Sequence, residues 1–315
     1  MSDTPLRQRA PMAVIRLARR ALANTPIHRL PIVAWVYRKT VAMAWGRDDL
    51  TMRFRDLQLT VPSGEREHVL ISGLAGGYYE SIELDLLERL AAASHTILDV
   101  GANIGIHACV GAMHLPEDGR VIAFEPVPNN IAALRRNIAQ NELSDRIRVE
   151  EMAVGESTGE TEIHLAPAST NHSLGAGVVA NSRATVPVHV TSLDDYVTSL
   201  GAGASVDILK IDVEGYDGYA LRGATALLKE HQPTLLIEFV PSQLVQAGFT
   251  PAEFLSLVFG AYPHVYVIDE PRRQLRLCTT DDLGKYGERS VNLNLVAIAH
   301  QEHRDIVESY RSALG

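Results

Sequence analysis

The sequence predicts an α/β protein built on one doubly wound, mostly parallel β-sheet. From residue 96 to residue 299, short apolar runs alternate with segments whose apolar residues recur at helical spacing. The first unit starts at Thr96–Val100, passes through a glycine turn and continues as a helix with Ile106, Cys109, Val110 and Met113 on its apolar face. Hydrophobic residues make up 46% of the 315 residues, which is enough to fill a complete core.

The turn after the first strand has the composition of a ligand-binding turn. Gly101 and Gly105 allow positive φ angles and leave room for a ligand beside the main chain. The helix behind them offers unpaired N–H groups and a partial positive charge. The next predicted strand, Val121–Phe124, leads into Glu125, about 20 residues beyond Gly105, where a carboxylate can accept ribose hydroxyls. The sequence therefore predicts that a nucleoside-bearing cofactor lies across this turn.

The residues around the turn favour a positively charged cofactor over a dinucleotide. A dinucleotide turn carries GxGxxG, whereas Asn103 occupies the position of the second glycine here. Asp99 precedes the turn, and an acid suits a positive centre and an ammonium group better than a diphosphate. Two alternatives remain: an NAD-dependent oxidoreductase, opposed by Asn103, and a non-catalytic Rossmann-like binding module. Retention of Asp99, Glu125 and Asp212 argues against the module, since a decayed site would not need them.

Four acids are predicted at the ends of strands along one edge of the sheet. Ligands of such folds bind at this edge, where the carboxyl ends of the strands meet. Like charges repel, so function explains this arrangement better than stability does. The acids are Asp99, Glu125, Asp212 and Glu238. The remaining strands are predicted at 147–154, 160–165, 186–190, 206–211, 234–239, 265–268 and 294–299, with helices at 131–138, 216–230 and 254–258 among them.

The N-terminal part of the chain differs from the rest in charge. Residues 1–60 contain 11 Lys and Arg against 4 Asp and Glu, whereas the whole chain has a net charge of −9. We therefore divide the chain into a basic helical arm, 1–53, and a catalytic domain, 54–315. The domain begins with a predicted hairpin of Phe54–Val61 and Val69–Ile71. Two interpretations of the arm remain open, a helical cap packed on the domain and a basic amphipathic anchor on anionic lipid.

The composition favours a cytoplasmic protein. Neither apolar run of the arm approaches the ~20 residues of a membrane span, and no signal-peptide pattern is evident. Cys109 and Cys278 lack the CxxC spacing of metal or redox sites, which favours a reducing compartment. The negative net charge disfavours a nucleic-acid partner. If the arm is an anchor, residues 1–50 would make peripheral contact with the inner face of the membrane.

Seven motifs occur in one order between residues 76 and 239 and together resemble the FkbM family of S-adenosylmethionine (SAM)-dependent methyltransferases. LDVGANIG is shared with other class I methyltransferases, and its combination with KIDVEG is much more specific. The resemblance implies a seven-stranded class I methyltransferase fold that methylates a hydroxyl, often on a sugar or a secondary metabolite. The motifs are GGYYE, LDVGANIG, VIAFEPVPNN, MAVG, NHSL, TSLDDY and LKIDVEGYDGYALRGA.

The resemblance also implies roles for individual residues around SAM. They are Asp99, Gly101, Asn103 and Gly105 for the methionine end, Glu125 and the adjoining Pro126 for the ribose, and Met152 and Ala153 for the adenine. Asp212 is expected to face the cofactor as well as the transfer site. Glu80, which follows a glycine pair, is expected to reach into the cofactor cleft. The sequence departs from the family at Ile106-His107, where a Tyr or Phe often follows the turn.

Three side chains are candidates for taking the proton of the acceptor hydroxyl. Asp212 directly follows a predicted strand, and Glu214 lies two residues later, so we expect this pair to act together as the base. His172 lies in the long polar loop 166–183 and is expected to act as a lid contact. No metal site is predicted, because the histidines show no persuasive ligand spacing, and a metal that bridges Asp212 and a diol of the acceptor is left open. The acceptor itself is expected to be a small molecule or a glycan.

Overall fold

The computed structural model describes residues 49–62, 80–165, 184–201 and 203–314. Residues 1–48 of the predicted arm and the loop that carries His172 lie outside these ranges, so both remain predictions. Contacts between residues divide the chain into two compact units, Met1–Tyr79 and Glu80–Gly315.

The described part of the first unit is a β-hairpin. Strand β1 (Leu50–Phe54) pairs antiparallel with β2 (Leu57–Val61). Arg55 adopts a φ of 52°, and this left-handed conformation helps the chain reverse within two residues. The prediction of one strand over Phe54–Val61 is wrong, because the chain turns inside that run. Its predicted partner, Val69–Ile71, lies outside the described residues, and the predicted boundary after residue 53 falls within β1.

The second unit alternates strands and helices as predicted. Its strands are β3 (Thr96–Val100), β4 (Arg120–Phe124), β5 (Ile147–Glu150), β6 (Ala153–Val154), β7 (Gly159–Leu165), β8 (Ala184–Thr191), β9 (Ile208–Ile211), β10 (Thr234–Phe239), β11 (His264–Asp269), β12 (Gln274–Cys278) and β13 (Leu293–Ile298). Its helices are α1 (Ser81–Ala91), α2 (Ile106–His114), α3 (Pro128–Gln140), α4 (Leu193–Ser199), α5 (Asp217–Arg222), α6 (Thr225–Glu230), α7 (Pro241–Gln246), α8 (Pro251–Ala261), α9 (Thr280–Gly284) and α10 (Gln301–Leu314).

The main sheet has the strand order β12-β11-β13-β10-β9-β3-β4-β5. Strands β10, β9, β3, β4 and β5 run parallel, and β13 lies antiparallel between β10 and β11. The predicted seven-stranded, doubly wound fold is confirmed, with β12 added as an eighth strand at the edge beside β11. β3 and β9 are buried along their whole length, as expected of strands in the middle of a parallel sheet.

Strands β6, β7 and β8 form a separate three-stranded sheet. The prediction that segments 160–165 and 186–190 belong to one continuous doubly wound sheet is therefore wrong. In this small sheet β7 and β8 pair antiparallel, and their apolar residues alternate with exposed polar ones. The inward residues Ile163, Val188 and Val190 pack with Ala153 and Val127 in a small core of their own.

The predicted helix 216–230 is two short helices, α5 and α6. The break falls at Gly223, where an added Cβ would lie 2.0 Å from the carbonyl oxygen of Gly155. The main chain therefore passes too close to the end of β6 for any side chain at this position. Both cysteines are buried and free. In the described ranges, no helix has both the length and the apolar character that crossing a membrane requires.

Candidate active site

The glycine turn brings the ends of β3 and β9 together. Gly101 has a φ of 82°, and a Cβ there would lie 2.0 Å from the carbonyl oxygen of Asp212. The amide of Asp212 in turn donates to the carbonyl of Val100 at 3.0 Å. Asn103 and Gly105 have φ angles of 51° and 90°, and Gly105 caps α2. Three left-handed positions within five residues form the tight turn that the sequence predicts.

Glu125 supports this turn from the end of β4. It is 4% exposed. Its Oε2 accepts from the amide of Asn103 at 2.8 Å, and its Oε1 accepts from the amide of Val127 at 2.9 Å and from Nδ2 of Asn130 at 3.2 Å. Burial raises the pKa of Glu125 to about 7, even though these hydrogen bonds lower it. A carboxylate has about four acceptor positions, so these three donors leave capacity for one strong bond to a ribose hydroxyl.

Asp99 is the most deeply buried acid of the site, with 1% of its surface exposed. The ammonium group of Lys210 lies 3.7 Å from its Oδ1. Neither of its carboxylate oxygens has a hydrogen-bond partner in the described part of the chain, and the same is true of the buried Oδ1 of Asn103. Buried acceptors left without donors are costly. These three oxygens fit a ligand that carries several N–H donors, such as the ammonium group of SAM.

Lys210 is a site residue to which the sequence analysis gave no role. It is buried within β9, and its Nζ lies 3.2 Å from Oδ2 of Asp212 and 3.7 Å from Oδ1 of Asp99. Burial opposes its charge, but Asp212 and Asp99 outweigh that effect and raise the pKa of Lys210. It is therefore a fixed cation between the cofactor turn and the transfer edge. The signal in the sequence is a lysine inside an otherwise apolar strand.

Asp212 and Glu214, the two acids predicted to act together as the general base, follow the end of β9. Glu214 has a φ of 50°, and Nε2 of Gln243 donates to its Oε2 at 3.4 Å. Burial, with the nearby charges of Asp212 and Asp217, raises the pKa of Glu214 well above its ordinary value. Asp217 accepts from the amides of Val213 and Gly215, at 3.2 and 3.0 Å, and so holds this turn in shape.

Two further acids have a raised pKa near this edge. Burial raises the pKa of Glu238 well above its ordinary value, and Asp212 and Glu214 add to the shift. Burial likewise raises the pKa of Glu80 to about 8, although His107 lowers it. His107 lies beside both Glu80 and Glu83. Neither His107 nor Glu83 was predicted from the sequence to be a site residue. The spacing of Glu80 and Glu83 on one helix could have indicated them, whereas nothing in the sequence links His107 to them.

The residues predicted around the adenine lie beyond β5. The amide of Glu125 donates to the carbonyl of Glu150 at 3.1 Å, which joins the ends of β4 and β5. Met152 follows two residues later and packs against the main core, whereas Ala153 begins β6 and lies in the small core. Pro126 is half-buried beside Glu125. His172 lies outside the described residues.

Comparison with known proteins identifies the family. Residues 99–262, just over half of the chain, match the methyltransferase FkbM domain. The chain belongs to this family. The family and the enzyme class predicted from the sequence are thereby confirmed, and SAM is the cofactor of that class.

The sequence identity to an individual relative is low. The hexuronic acid methyltransferase AglP of Haloferax volcanii is 28% identical over 180 residues, which cover 56% of this chain and 66% of that protein. The match thus spans slightly less than two thirds of this relative.

Solved methyltransferase structures resemble the chain only weakly. The methyltransferase FkbM of Methylobacillus flagellatus KT has 18% identity and a TM-score of 0.38, covering 84% of this chain and 58% of that one. An O-methyltransferase from Bacillus cereus has 14% identity and a TM-score of 0.39, covering 74% of this chain and 90% of that one. Because both TM-scores are below 0.5, only the family match and the site geometry support the proposals below.

Proposed function

We propose that this protein transfers a methyl group from SAM to a hydroxyl group of a sugar, a glycan or a secondary metabolite. The observation that carries the proposal is the pair of buried oxygens of Asp99, which have no hydrogen-bond partner among the described residues, beside the turn of Gly101 and Gly105. They lie at the edge where the family's cofactor turn and the acids of β9 meet. The FkbM family match supports the same reaction class.

In this proposal the chain's own residues divide the work between the two ends of the cofactor. Asp99 and Asn103 accept hydrogen bonds from the methionine end, and Glu125 accepts from the ribose. Bound SAM would supply an electrophilic methyl group. The protein then has to align the acceptor oxygen and exclude water. Met152 and Ala153 are proposed to line the adenine.

The proton of the acceptor hydroxyl is proposed to pass to the acids at the end of β9. Lys210 holds the carboxylate of Asp212 at 3.2 Å, which orients it towards the edge. Glu214 has a raised pKa, so it can hold a proton nearer neutrality than an exposed glutamate. His172 remains proposed as a contact to the acceptor.

The charge of the edge bears on the acceptor class. The relative AglP is a hexuronic acid methyltransferase, and a hexuronic acid carries a carboxylate of its own. Here the charge of Asp212 adds to the raised pKa values of Glu214 and Glu238, and Glu214 adds to that of Glu238. An additional negative charge on the acceptor would be repelled by these groups. We therefore propose a neutral, hydroxyl-bearing sugar or metabolite in preference to a hexuronate.

Calorimetry with SAM, its demethylated product and NAD tests the proposal. We expect SAM and the product to bind and NAD not to bind. Glu125→Ala should weaken SAM binding by ~1.5–3 kcal/mol, because it removes a charged acceptor. Tight NAD binding without SAM binding would reject the proposed function. Mass analysis of glycans and metabolites after gene deletion would then identify the acceptor by its lost methyl group.

We further propose that the protein acts in the cytoplasm, as a basic arm (1–53) joined to a catalytic domain. Deleting residues 1–50 distinguishes the two interpretations of the arm. A packed cap predicts a lower melting temperature for the truncated protein. A lipid anchor predicts unchanged stability and lost binding to vesicles of anionic lipid. A stable truncation of a chain that never bound vesicles contradicts both.

A further inference from the structure

Helices α1 and α2 enclose a second group of polar side chains near the cofactor turn. Glu80 and Glu83 lie three residues apart at the start of α1, and His107 lies in the first turn of α2. Nε2 of His107 is 3.3 Å from Oε2 of Glu80 and 3.2 Å from Oε1 of Glu83. We call Glu80, Glu83 and His107 the α1–α2 triad.

The contacts within the triad place one imidazole nitrogen between two carboxylate oxygens. The side chain of His107 is 9% exposed, and its Nε2 makes no hydrogen bond to any described residue. The same holds for Oε2 of Glu80 among those residues. An imidazolium paired with one carboxylate would direct its N–H at one oxygen. Here two oxygens flank the nitrogen at nearly equal distances, so the three groups face a shared position.

The spacing of these atoms fits ligands around one metal ion. Metal–nitrogen and metal–oxygen bonds of roughly 2.0–2.2 Å, at angles between 90° and 110°, place neighbouring ligand atoms roughly 2.8–3.6 Å apart. The observed 3.2 and 3.3 Å lie within that range. One ligand atom from each residue of the triad lies within 4.8 Å of the other two.

Acidic side chains outnumber basic ones in and around the triad. Four carboxyl groups and a single ammonium group lie there. Buried charges of one sign are unfavourable unless a cation compensates them. The carboxylates are Glu80, Glu83, Asp99 and Asp212, and the ammonium group is that of Lys210.

We propose that the α1–α2 triad binds one divalent transition-metal ion, of which Zn²⁺ and Mn²⁺ are the test cases. One imidazole and two carboxylates suit such ions better than Ca²⁺ or Mg²⁺, which prefer oxygen ligands alone. Nδ2 of Asn294 donates to Oε2 of Glu83 at 2.6 Å and so orients this ligand from outside the triad. The side chain of Glu80 is 25% exposed, against 9% for His107 and 6% for Glu83, so Glu80 is the ligand of the triad nearest to solvent.

This site contains none of the acids proposed to take the acceptor proton, and it shares only Glu80 with the residues predicted to line the cofactor cleft. Its consequence is mechanical, because an ion held by both helices would join the start of α1 to the start of α2, directly behind the cofactor turn. The sequence predicts no metal, because Glu83 and His107 are 24 positions apart and only the packing of α1 against α2 brings them together.

The test is a titration of chelator-treated full-length protein with Zn²⁺ and, separately, with Mn²⁺, in the absence of SAM. We expect one ion per chain by calorimetry and by elemental analysis. The melting temperature should rise by roughly 3–10 °C when the free ion is in hundredfold excess over its Kd. Glu83→Gln and His107→Asn should each weaken binding by at least about tenfold.

His189→Asn is the matched control, because it removes a histidine from a similar but exposed pair. Nδ1 of His189 lies 3.6 Å from Oε1 of Glu160, and both side chains are at least three-quarters exposed. This variant should bind the ion as the wild type does. The control separates loss of the triad from loss of histidine in general.

Two results would overturn the proposal. The first is a wild-type protein that binds neither ion stoichiometrically. The second is unchanged metal affinity in both Glu83→Gln and His107→Asn. If the wild type binds no metal and both variants weaken SAM binding, the triad belongs to the cofactor site instead. A protein that binds the ion but not SAM would retain the metal site and reject the proposed function.

Discussion

The edge of the main sheet and the small sheet β6-β8-β7 use the same polar residue types in opposite ways. At and beside the edge, Asp99 and His107 are buried, and burial raises the pKa values of Glu125 and Glu214. In the small sheet, Glu160 and His189 also form a pair, yet both side chains are solvated. Water screens charges on the small sheet, whereas the edge has to compensate its charges through neighbours. The comparison teaches that residue type indicates function here only together with burial.

The largest effect should come from removing the cation at the buried edge. Lys210→Met leaves Asp99 and Asp212 without their ion pair, and breaking a buried pair in this way costs about 3–5 kcal/mol. Denaturant unfolding measures the loss. Lys285→Met, which removes an exposed lysine 3.1 Å from Asp282, should leave the unfolding midpoint nearly unchanged. Equal losses of stability in the two variants would show that Lys210 stabilises the protein no more than an exposed lysine does.

The second prediction compares a glycine of the cofactor turn, Gly101, with a glycine of the small sheet, Gly159. Gly101→Ala places a Cβ 2.0 Å from the carbonyl oxygen of Asp212 at a φ of 82°, so we expect destabilisation of roughly 2–5 kcal/mol and loss of SAM binding. Gly159, the first residue of β7, has no atom within 4 Å of its added Cβ among the described residues. Gly159→Ala should therefore be nearly neutral. A stable, SAM-binding Gly101→Ala protein would contradict the turn geometry as the basis of the site.

The third prediction compares the acids proposed to take the acceptor proton with an acid that is merely exposed to solvent. Asp212→Asn or Glu214→Gln should lower the methyl-transfer rate by ~10²-fold or more, with SAM affinity changed much less. Glu160→Gln, on the solvated small sheet, should leave the rate unchanged. His172→Ala should mainly raise the KM for the acceptor. The assignment fails if His172→Ala abolishes turnover while both carboxylate variants keep nearly the full rate.

The smallest expected effect is a dependence of cofactor binding on pH. The pKa of Glu125 is raised to about 7, so the carboxylate that accepts the ribose hydroxyl becomes protonated below that pH. The Kd for SAM should rise up to about tenfold per unit as the pH falls below 7. Glu125→Gln should remove this dependence. A wild-type Kd that stays constant between pH 5.5 and pH 8 would exclude a titrating carboxylate at the ribose.

The same raised pKa has the opposite consequence for folding. A carboxyl whose pKa is higher in the folded state binds its proton more tightly there. Its contribution to stability is therefore greatest below its ordinary pKa of 4.5 and is lost as the pH rises to about 7. Comparing the pH dependence of unfolding between the wild type and Glu125→Gln isolates this contribution.

Much of the site could be predicted because its parts are close in sequence. Thr96–Val100, the glycine turn and Glu125 belong to one β-α-β unit, in which strand length and glycine spacing determine which residues reach the edge. The hairpin of β1 and β2 was mispredicted, because the left-handed φ of Arg55 has no clear signal in the sequence. The small sheet was assigned to the main one, because strand pattern alone does not specify which strands pair.

The sequence by itself determined the alternation of strands and helices, the family motifs and the acids at the ends of β3, β4 and β9. Local spacing and apolar period encode these features. The tertiary structure alone decided that Lys210 lies between Asp99 and Asp212, and that His107 meets Glu80 and Glu83. Apart from the local pair of Lys210 and Asp212, these contacts join elements far apart in the chain, and their energies depend on burial. Burial is a property of the packed molecule, which no single segment of the sequence contains.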